Sequence, residues 1–463
     1  MKPAVSSLLG RRRFFKSAGM AAAGASAFSF ATESDAEATL QNVNTRSKPS
    51  DLRITDMRVA WVTKAPMNAP IIRIDTNQGI SGYGEVRDGA SKTYALMLKS
   101  RLVGENPCNV DKVFRKIKQF GAPARQAGGV CAVEMACWDL AGKAFGVPVY
   151  QMLGGQFRNR VRLYADTTED PIAQEGAVVA KDGENQGRKL KERMDRGITF
   201  LKNDFGIELI RNHANALSVP IGQSTQERAM LMHPFTGVEI TDKGIALLDE
   251  YVAAIRSVVG MEVPLAADHF GHIGVNSCIK LARAMEKHNL AWMEDMVPWQ
   301  HGRLLKQIAD ETSVPILTGE DIYLKEDFIK LIDMQAVDAI HPDLASAGGI
   351  LETKKIGDYA MEHGVPMAMH FAGTPISFMA NVHCAAATEN FVALEHHSLD
   401  VPWWNDLVTP AITLDKGFAV VSDRPGLGVE PNPEVVKQHL LEPGYFEPTP
   451  EWDKERSWDR LWS

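Results

Sequence analysis

The repeated alternation of a short apolar strand and an amphipathic helix limits the possible folds of this chain more than any other feature. Five such units follow one another between residues 263 and 387, beginning with "VPLAAD" and "SCIKLARAMEKH" and ending with "VPMAMH" and "PISFMANVHCAAA". Nearly continuous apolar strands separated by helices are typical of a parallel sheet that is covered on both faces. So many consecutive units favour a closed (β/α) barrel over an open doubly wound sheet. No Gly-x-Gly-x-x-Gly motif follows a strand, which argues against nucleotide binding.

The chain before these units has a different character. Residues 69–86, "APIIRIDTNQGISGYGEV", alternate apolar and polar side chains around a central Asn-Gln-Gly, which is typical of a β-hairpin. A helical pattern follows as far as residue 145. We therefore predict an α/β fold with three parts: an α+β capping domain over residues 51–155, a barrel over residues 156–445 and a tail over residues 446–463. The barrel is predicted to be a modified TIM barrel of roughly seven to eight units.

The N-terminus has the composition of an export signal. Arg11, Arg12 and Arg13 precede "FFK", a short apolar run rich in alanine, and then the polar "TESDAEA". This order of a charged, an apolar and a polar segment resembles a bacterial signal of the twin-arginine type. The apolar run is shorter than the roughly 20 residues that span a bilayer. We predict an export signal over residues 1–38, a linker over residues 39–50 and a periplasmic location, and leave open whether the signal is cleaved.

Charge and cysteine content exclude some classes of function. The net charge is −8 at pH 7, and no basic block follows the N-terminus, so we expect no nucleic-acid partner. Five cysteines are scattered along the chain without a Cys-x-x-Cys pair. This pattern argues against a disulfide framework and against a zinc cluster, and is typical of small core residues.

Polar residues end six of the predicted strands at nearly constant spacing. The steps between them are 26, 26, 23, 27 and 25 residues, about one strand–helix unit each: Asp268, Glu294, Glu320, Asp343, His370 and Glu395. In a barrel these residues lie at one rim, the carboxyl end of the strands, where such enzymes place their active sites. A single acid at a strand end is often only a helix cap, but three in consecutive units predict a metal site. Carboxylates without cysteine suit Mg²⁺, with Mn²⁺ as an alternative.

The other rim residues predict acid–base chemistry. His370 is a candidate base because Asp343, one strand earlier, could hold its imidazole in orientation. Lys202 ends the earlier strand "GITFLK" and could face His370 as a second acid or base, or as a charge stabiliser. Asp295, directly after Glu294, is expected to point away from the site, because side chains alternate along a strand. A salt bridge or a cap of the next helix is its expected role.

These motifs resemble the mandelate racemase/muconate lactonizing enzyme branch of the enolase superfamily. The resemblance covers nearly all of residues 51–445, through "GGVCAVEMACWDLAGKAFGVPVYQMLGG" (128–155), "TNQGISGYGEV" and "RPGLGVEPN" (424–432). It implies that the three acids bind Mg²⁺ and that Asp343 and His370 form the catalytic dyad. It also implies that Glu395 hydrogen-bonds the substrate carboxylate and that Lys202 is the first lysine of a Lys-x-Lys motif.

The sequence departs from the family pattern in two places. Asp204 replaces the second lysine, and Phe270 stands two residues after the first metal ligand, where relatives often have asparagine or histidine. His269 or His272 could supply the missing acid, and with Asp204 they are candidate substrate contacts. An insertion over residues 206–242 either shapes the substrate pocket or forms a surface or oligomer-contact loop.

The resemblance implies a lyase. Its shared chemistry is Mg²⁺-dependent removal of the proton α to a carboxylate, through an enediolate intermediate. The lost second lysine and the retained dyad favour a hydro-lyase that converts a sugar acid to a 2-keto-3-deoxy acid. Lys202, His370 or a nearby histidine would protonate the leaving hydroxide. The alternatives are a racemase, epimerase or cycloisomerase that uses the same intermediate, and an exported sugar-acid-binding protein without catalysis. The expected partners are a small carboxylic acid and, as in many relatives, further copies of the chain.

Overall fold

The computed structural model describes residues 47–167, 179–218, 237–268 and 273–454. The predicted export signal lies outside the described residues, so export stays a prediction. Among the helices that are described, none combines the length and the apolar character needed to cross a membrane. All five cysteines are unpaired, and only Cys108 among them is not fully buried.

The N-terminal part is a three-stranded antiparallel sheet that packs against one long helix. The strands are Ile54–Val62, Ala69–Thr76 and Ser81–Glu85, and the helix is Gly128–Phe145. Backbone of the helix approaches the third strand closely, because a Cβ atom on Gly84 would lie 1.9 Å from the carbonyl oxygen of Ala132. Glycine therefore permits this packing. Smaller helices complete the unit: Pro49–Asp51, Thr93–Leu96, Lys99–Leu102, Val110–Ile117, Lys118–Phe120, Ala124–Ala127 and Val149–Met152.

Eight parallel strand positions form the barrel, numbered here strand 1 to strand 8 in chain order. Strands 1 to 6 are Arg160–Thr167, Leu201–Asp204, Leu265–Asp268, Met293–Glu294, Ile316–Thr318 and Ala339–Ile340, and strand 8 is Leu394–His396. Residues 367–370 take position 7 and make parallel bridges to both neighbours. Strand 8 pairs in parallel with strand 1, with Glu395 opposite Tyr164, and this pairing closes the barrel. The predicted (β/α) barrel with a capping domain is confirmed.

Helices surround the barrel, and its amino-terminal end is filled by side chains. Tyr164, Phe200 and Trp292 contact one another there, with ring centres 4.8 to 5.6 Å apart. The barrel interior at the level of these rings is therefore a packed core. A cavity at the amino-terminal end is lined by residues that precede or begin several strands, among them Phe200, Pro264 and Pro315. The helices are Val179–Asp195, Ile207–Ile210, Asp242–Val259, Val275–Met285, Glu286–His288, Gly302–Ala309, Lys325–Asp333, Leu344–Ala347, Ile350–Glu362, Pro375–Ala387, Trp404–Leu407, Pro433–Gln438 and Pro450–Trp452.

Three short antiparallel ribbons extend the described barrel region, and one of them pairs Val408–Thr409 with Glu430–Pro431. Leu414–Asp415 and Phe418–Val420 form a hairpin that pairs with the first half of strand 1. In the 206–242 insertion, Leu217–Ser218 pairs with Glu239–Ile240. Residues 219–236 lie outside the described residues, and both predicted roles of the insertion stay open.

Two buried glutamates of the capping domain satisfy backbone groups of the barrel. Glu85 accepts hydrogen bonds from the backbone N–H groups of Thr374 (2.9 Å) and Ser377 (3.4 Å), at the start of helix Pro375–Ala387. Glu134 accepts from Ile350 (2.7 Å) and Leu351 (3.1 Å) at the start of the preceding long helix. The first N–H groups of a helix have no partner within it, and a negative charge there is stabilising. These contacts therefore dock the capping domain over the carboxyl end of strands 6 and 7.

Candidate active site

A buried lysine holds three acids together at the open end of the barrel. Lys202 in strand 2 donates to Asp268 Oδ2 (2.8 Å), Glu294 Oε1 (2.9 Å) and Glu395 Oε1 (2.9 Å). Its side chain is only 1% exposed. The acids come from strands 3, 4 and 8, so the predicted convergence of strand ends brings them together around one ammonium group.

One positive charge does not balance these three acids. Burial opposes the charge of Lys202, but Asp268, Glu294 and Glu395 outweigh it and raise the pKa of Lys202 well above its ordinary value. Burial and the neighbouring Asp268 also raise the pKa of Glu294 well above the usual range, although Lys202 opposes this. The cluster is thus a buried site with excess negative charge, which a divalent cation would stabilise.

The proposed base lies beside the acid cluster. His370 Nδ1 lies 2.6 Å from Asp343 Oδ2, and His370 Nε2 lies 3.0 Å from Glu320 Oε2 and 3.7 Å from Glu395 Oε2. The second oxygen of Asp343 accepts from the backbone N–H of Ala345 at 2.6 Å. Asp343 therefore serves both as a helix cap and as the partner of the imidazole. Burial disfavours the charged ring, but Glu320 and Glu395 outweigh it and raise the pKa of His370 well above its ordinary value.

The residues present fit a hard divalent cation. Asp268, Glu294 and Glu320 offer only oxygen donors, which is the ligand type of Mg²⁺ and Mn²⁺. In the described part of the chain, these three do not place three oxygens within 4.8 Å of one another. Asp268 and Glu294 contact Lys202, whereas Glu320 contacts His370. Their role as metal ligands therefore stays a prediction that rests on donor chemistry and excess charge.

Two other groups of side chains meet that 4.8 Å spacing, namely Glu294–Asp295–His341 and His370–Glu395–His397. His341 is fully buried, with Nδ1 3.3 Å from Glu294 Oε1. Burial, with a smaller effect of Lys202, lowers the pKa of His341 to about 3. This ring is therefore a neutral part of the wall behind Glu294.

The predicted role of Asp295 was wrong. Asp295 accepts a hydrogen bond from the hydroxyl of Thr318 at 2.5 Å, and His301 is the residue that precedes the next helix. Its backbone has a φ of +49°, which interrupts the alternation expected after Glu294. Its side chain therefore lies beside strand 5. Burial raises the pKa of Asp295 to about 8, and the nearby negative charges of Glu320 and Asp268 contribute to this increase.

Sequence reasoning missed an arginine that the capping domain supplies. Arg87, 1% exposed, donates through Nη1 to Asp343 Oδ2, and the same atom lies 2.9 Å from His370 Nδ1. Its Nη2 lies 3.4 Å from Glu320 Oε1, and its Nε lies 3.1 Å from Asp88 Oδ1. Arg87 is two residues after Glu85, which ends the third cap strand. Nothing in the spacing of the barrel strands indicates that this strand end faces the barrel.

A second carboxylate–histidine pair was also missed. His397 Nδ1 lies 2.9 Å from Asp166 Oδ2, and His397 Nε2 lies 3.4 Å from Glu395 Oε1. Tyr164 donates to the other oxygen of Glu395 at 2.9 Å. The available signal was "EHH", which runs from strand 8 to the residue directly after it, because residues two apart on an extended chain, such as Glu395 and His397, share a face.

The remaining predicted contacts are less informative. Asp204 ends strand 2 and pairs in register with Asp268, so it lies at the rim beside the acid cluster. His269 and His272 lie outside the described residues, and their predicted role is untested.

Comparison with known families decides the relationship. Residues 37–154 match the N-terminal domain of mandelate racemase/muconate lactonizing enzymes, and residues 190–435 match the enolase C-terminal domain-like model of the same group. The chain belongs to the mandelate racemase/muconate lactonizing enzyme family.

Several relatives within this family are named as sugar-acid dehydratases. A D-xylonate dehydratase of Haloferax volcanii is 32% identical over 415 residues, which cover 87% of this chain and 93% of that protein. A D-galactonate dehydratase family member of Streptomyces bingchenggensis is 28% identical over 396 residues, 83% of this chain and 93% of that protein. A mandelate racemase/muconate lactonizing enzyme-like structure from Rubrobacter xylanophilus matches with a TM-score of 0.73 and 31% identity, over 85% of this chain and 99% of that one. The protein is thus a sugar-acid dehydratase-like member of the enolase superfamily.

Proposed function

We propose that this protein is a hydro-lyase that dehydrates a sugar acid to a 2-keto-3-deoxy acid. The observation that carries the proposal is the position of His370 at the open end of the barrel. Its Nδ1 is held by Asp343 at 2.6 Å, while its Nε2 faces the carboxylates of Glu320 and Glu395. An imidazole that is fixed at one nitrogen and directed into the site by the other is the arrangement of a general base. The names of the relatives support dehydration as the reaction.

The first step is removal of the proton on the carbon next to the substrate carboxylate, through an enediolate. In the free protein Glu320 and Glu395 outweigh burial and raise the pKa of His370, and a divalent cation held by Glu320 would offset this, so that the ring is neutral and can accept a proton. His370 Nε2 then takes the α-proton, and Asp343 keeps the ring in orientation. General-base help contributes only about 10²–10⁴-fold, whereas enzymes reach roughly 10⁶-fold or more. Electrostatic stabilisation of the developing negative oxygens must therefore supply most of the acceleration.

Asp268, Glu294 and Glu320 are the residues that would hold Mg²⁺. The bound ion supplies Lewis-acid stabilisation of negative charge on the substrate oxygens. Lys202 adds a second positive charge on the same side, and its contacts with three carboxylates are those of a charged ammonium. We assign Lys202 to charge stabilisation rather than to proton abstraction. Glu395 is the residue that we expect to hydrogen-bond the substrate carboxylate. Burial opposes its charge, but Lys202 and His370 outweigh it and lower the pKa of Glu395 well below the usual range, so this contact requires that Glu395 gains a proton when the substrate binds.

A proton NMR screen of the purified protein with Mg²⁺ in D₂O, against a library of sugar acids that includes D-xylonate and D-galactonate, tests the proposal. We expect a 2-keto-3-deoxy product from at least one acid. Deuterium at the α-carbon or an epimer without loss of water would instead support epimerisation, for which Asp166–His397 offers a second acid–base pair. Neither product nor exchange from any acid would contradict both functions.

Removal of the metal should stop turnover. We expect a chelator to abolish activity and added Mg²⁺ or Mn²⁺ to restore it. Glu294→Gln removes one carboxylate charge and should weaken Mg²⁺ binding at least about tenfold, measured by isothermal titration calorimetry. Glu389→Gln, at an exposed position away from the site, is the matched control. Unchanged Mg²⁺ affinity of the Glu294 variant would exclude this residue as a ligand.

A further inference from the structure

The Asp166–His397 pair lies beside the proposed base and is not used by the mechanism above. Asp166 is in strand 1 and His397 directly follows strand 8, and these strands pair where the barrel closes. The two side chains are 12% and 16% exposed, whereas Glu395 next to them is fully buried. The pair therefore lies at the solvent-facing edge of the site.

Glu395 separates the two histidines of the rim. His370 Nε2 lies 3.7 Å from one oxygen of Glu395, and His397 Nε2 lies 3.4 Å from the other. The ring centres of the histidines are 6.0 Å apart. Two groups at this distance can face neighbouring carbons of one substrate, which is the requirement for a base and an acid in a 1,2-elimination.

The charges around His397 favour its protonated form. It faces Asp166 and Glu395. The positive Lys202 contacts the same oxygen of Glu395, and the rings of His370 and His396 are nearby. Burial disfavours the imidazolium, but Asp166 and Glu395 outweigh it and raise the pKa of His397 to about 10. His397 therefore carries a proton at neutral pH that it can donate.

The other candidate donors in the described part of the chain are less suitable. Lys202 is enclosed by three carboxylates, and His341 is a fully buried neutral ring. Outside the described residues, the position two residues after Asp268 is Phe270, a side chain without an acidic proton. We propose, on the basis of the dehydration proposed above, that His397, oriented by Asp166, is the general acid that protonates the leaving hydroxyl group.

The protons balance over one turnover. His370 takes the proton from carbon 2, the electrons of that C–H bond form the C2–C3 double bond, and the C3–O bond breaks. His397 gives its Nε2 proton to the departing oxygen, which leaves as water, and an enol remains. On conversion of the enol to the ketone, His370 returns its proton to carbon 3 and the enol O–H proton passes to His397. The substrate has then lost one water and both histidines have recovered their starting forms.

The test separates loss of the hydroxyl group from removal of the α-proton. For His397→Asn we expect dehydration to fall by roughly 10²–10⁴-fold, as for loss of a general acid, while deuterium still enters the α-carbon of unreacted substrate. A 3-deoxy-3-fluoro derivative of the acid that the wild type dehydrates is the second probe. Fluoride leaves without protonation, so the variant should eliminate it at close to the wild-type rate.

Asp166→Asn adds a pH readout that a purely structural residue would not change. The Asp166 carboxylate keeps the proton on His397, so loss of this carboxylate should lower the pKa of His397. The alkaline limit of the pH–rate profile for dehydration should therefore move to lower pH. Fluoride elimination should keep the wild-type alkaline limit. His363→Asn, at an exposed histidine, is the matched control.

Two results would overturn the inference. One is dehydration by His397→Asn at the wild-type rate, and the other is an equal loss of fluoride elimination and dehydration in a folded variant that still binds Mg²⁺. Failure of the proposed function looks different, because the wild type itself would then release no water from any acid.

Discussion

Replacing His370 with asparagine should lower the rate of α-proton removal by roughly 10²–10⁴-fold. The asparagine amide can still donate to Asp343, but no nitrogen remains at the position of Nε2, which faces Glu320 and Glu395. The measurement is loss of the α-proton signal in D₂O, together with single-turnover formation of the keto acid. Both should fall together, because the proton must leave before the hydroxyl group can.

The control for this variant is His363→Asn, which changes a histidine beyond the end of helix Ile350–Glu362. It should exchange and dehydrate like the wild type. If the His370 variant exchanged the α-proton of the substrate at the wild-type rate, His370 would not be the base. Asp343 would then have no role in orienting a catalytic base.

Loss of Arg87 should affect stability as well as turnover. Arg87→Met leaves Asp343 without its guanidinium partner and leaves Asp88 with only Arg125. Breaking a buried ion pair from one side costs about 3–5 kcal/mol, so the urea midpoint should fall markedly. Turnover should also fall, because Arg87 lies 2.9 Å from His370 Nδ1 and fixes the carboxylate that orients the ring.

Matched variants separate the two effects. Arg125→Met removes a half-exposed partner of the same Asp88 and should change the free energy of unfolding by no more than about 1 kcal/mol. Arg87→Lys keeps the charge but lacks the planar group that reaches both Asp88 and Asp343, so it should recover stability more than turnover. Adding Asp343→Asn to Arg87→Met should restore stability and leave the enzyme inactive. Equal urea midpoints for the Arg87 and Arg125 methionine variants would exclude Arg87 as an important ion-pair partner.

The fold and the rim positions could be predicted because they depend on local periodicity. Each barrel strand is a short apolar segment before an amphipathic helix, and a constant step along the chain places every strand end at one edge. The backbone can break this rule where it departs from the strand conformation, as Asp295 does with its positive φ.

The parts of the site that the sequence did not reveal depend on contacts between distant segments. Arg87 comes from another domain, and its approach to Asp343, 256 residues away, follows from how that domain docks. His397 is different, because the two-residue period of strand 8 already placed it on the same face as Glu395. Its partner Asp166 required knowledge that strands 1 and 8 pair, which is a property of the closed barrel.

The contacts of Glu85 and Glu134 also affect how this fold can be recombined. Helix Ile350–Glu362 has no side-chain cap of its own, and helix Pro375–Ala387 has Thr374, which accepts only from Ile376. A barrel produced alone would therefore lose the acceptors of further N–H groups at both helix starts. With Arg87, the cap also carries the counter-charge of a barrel acid. A chimaera that joins this barrel to the capping domain of a relative must therefore have Glu85, Arg87 and Glu134 at the corresponding positions of the new capping domain. The contacts between the two domains have to be transferred together with the barrel.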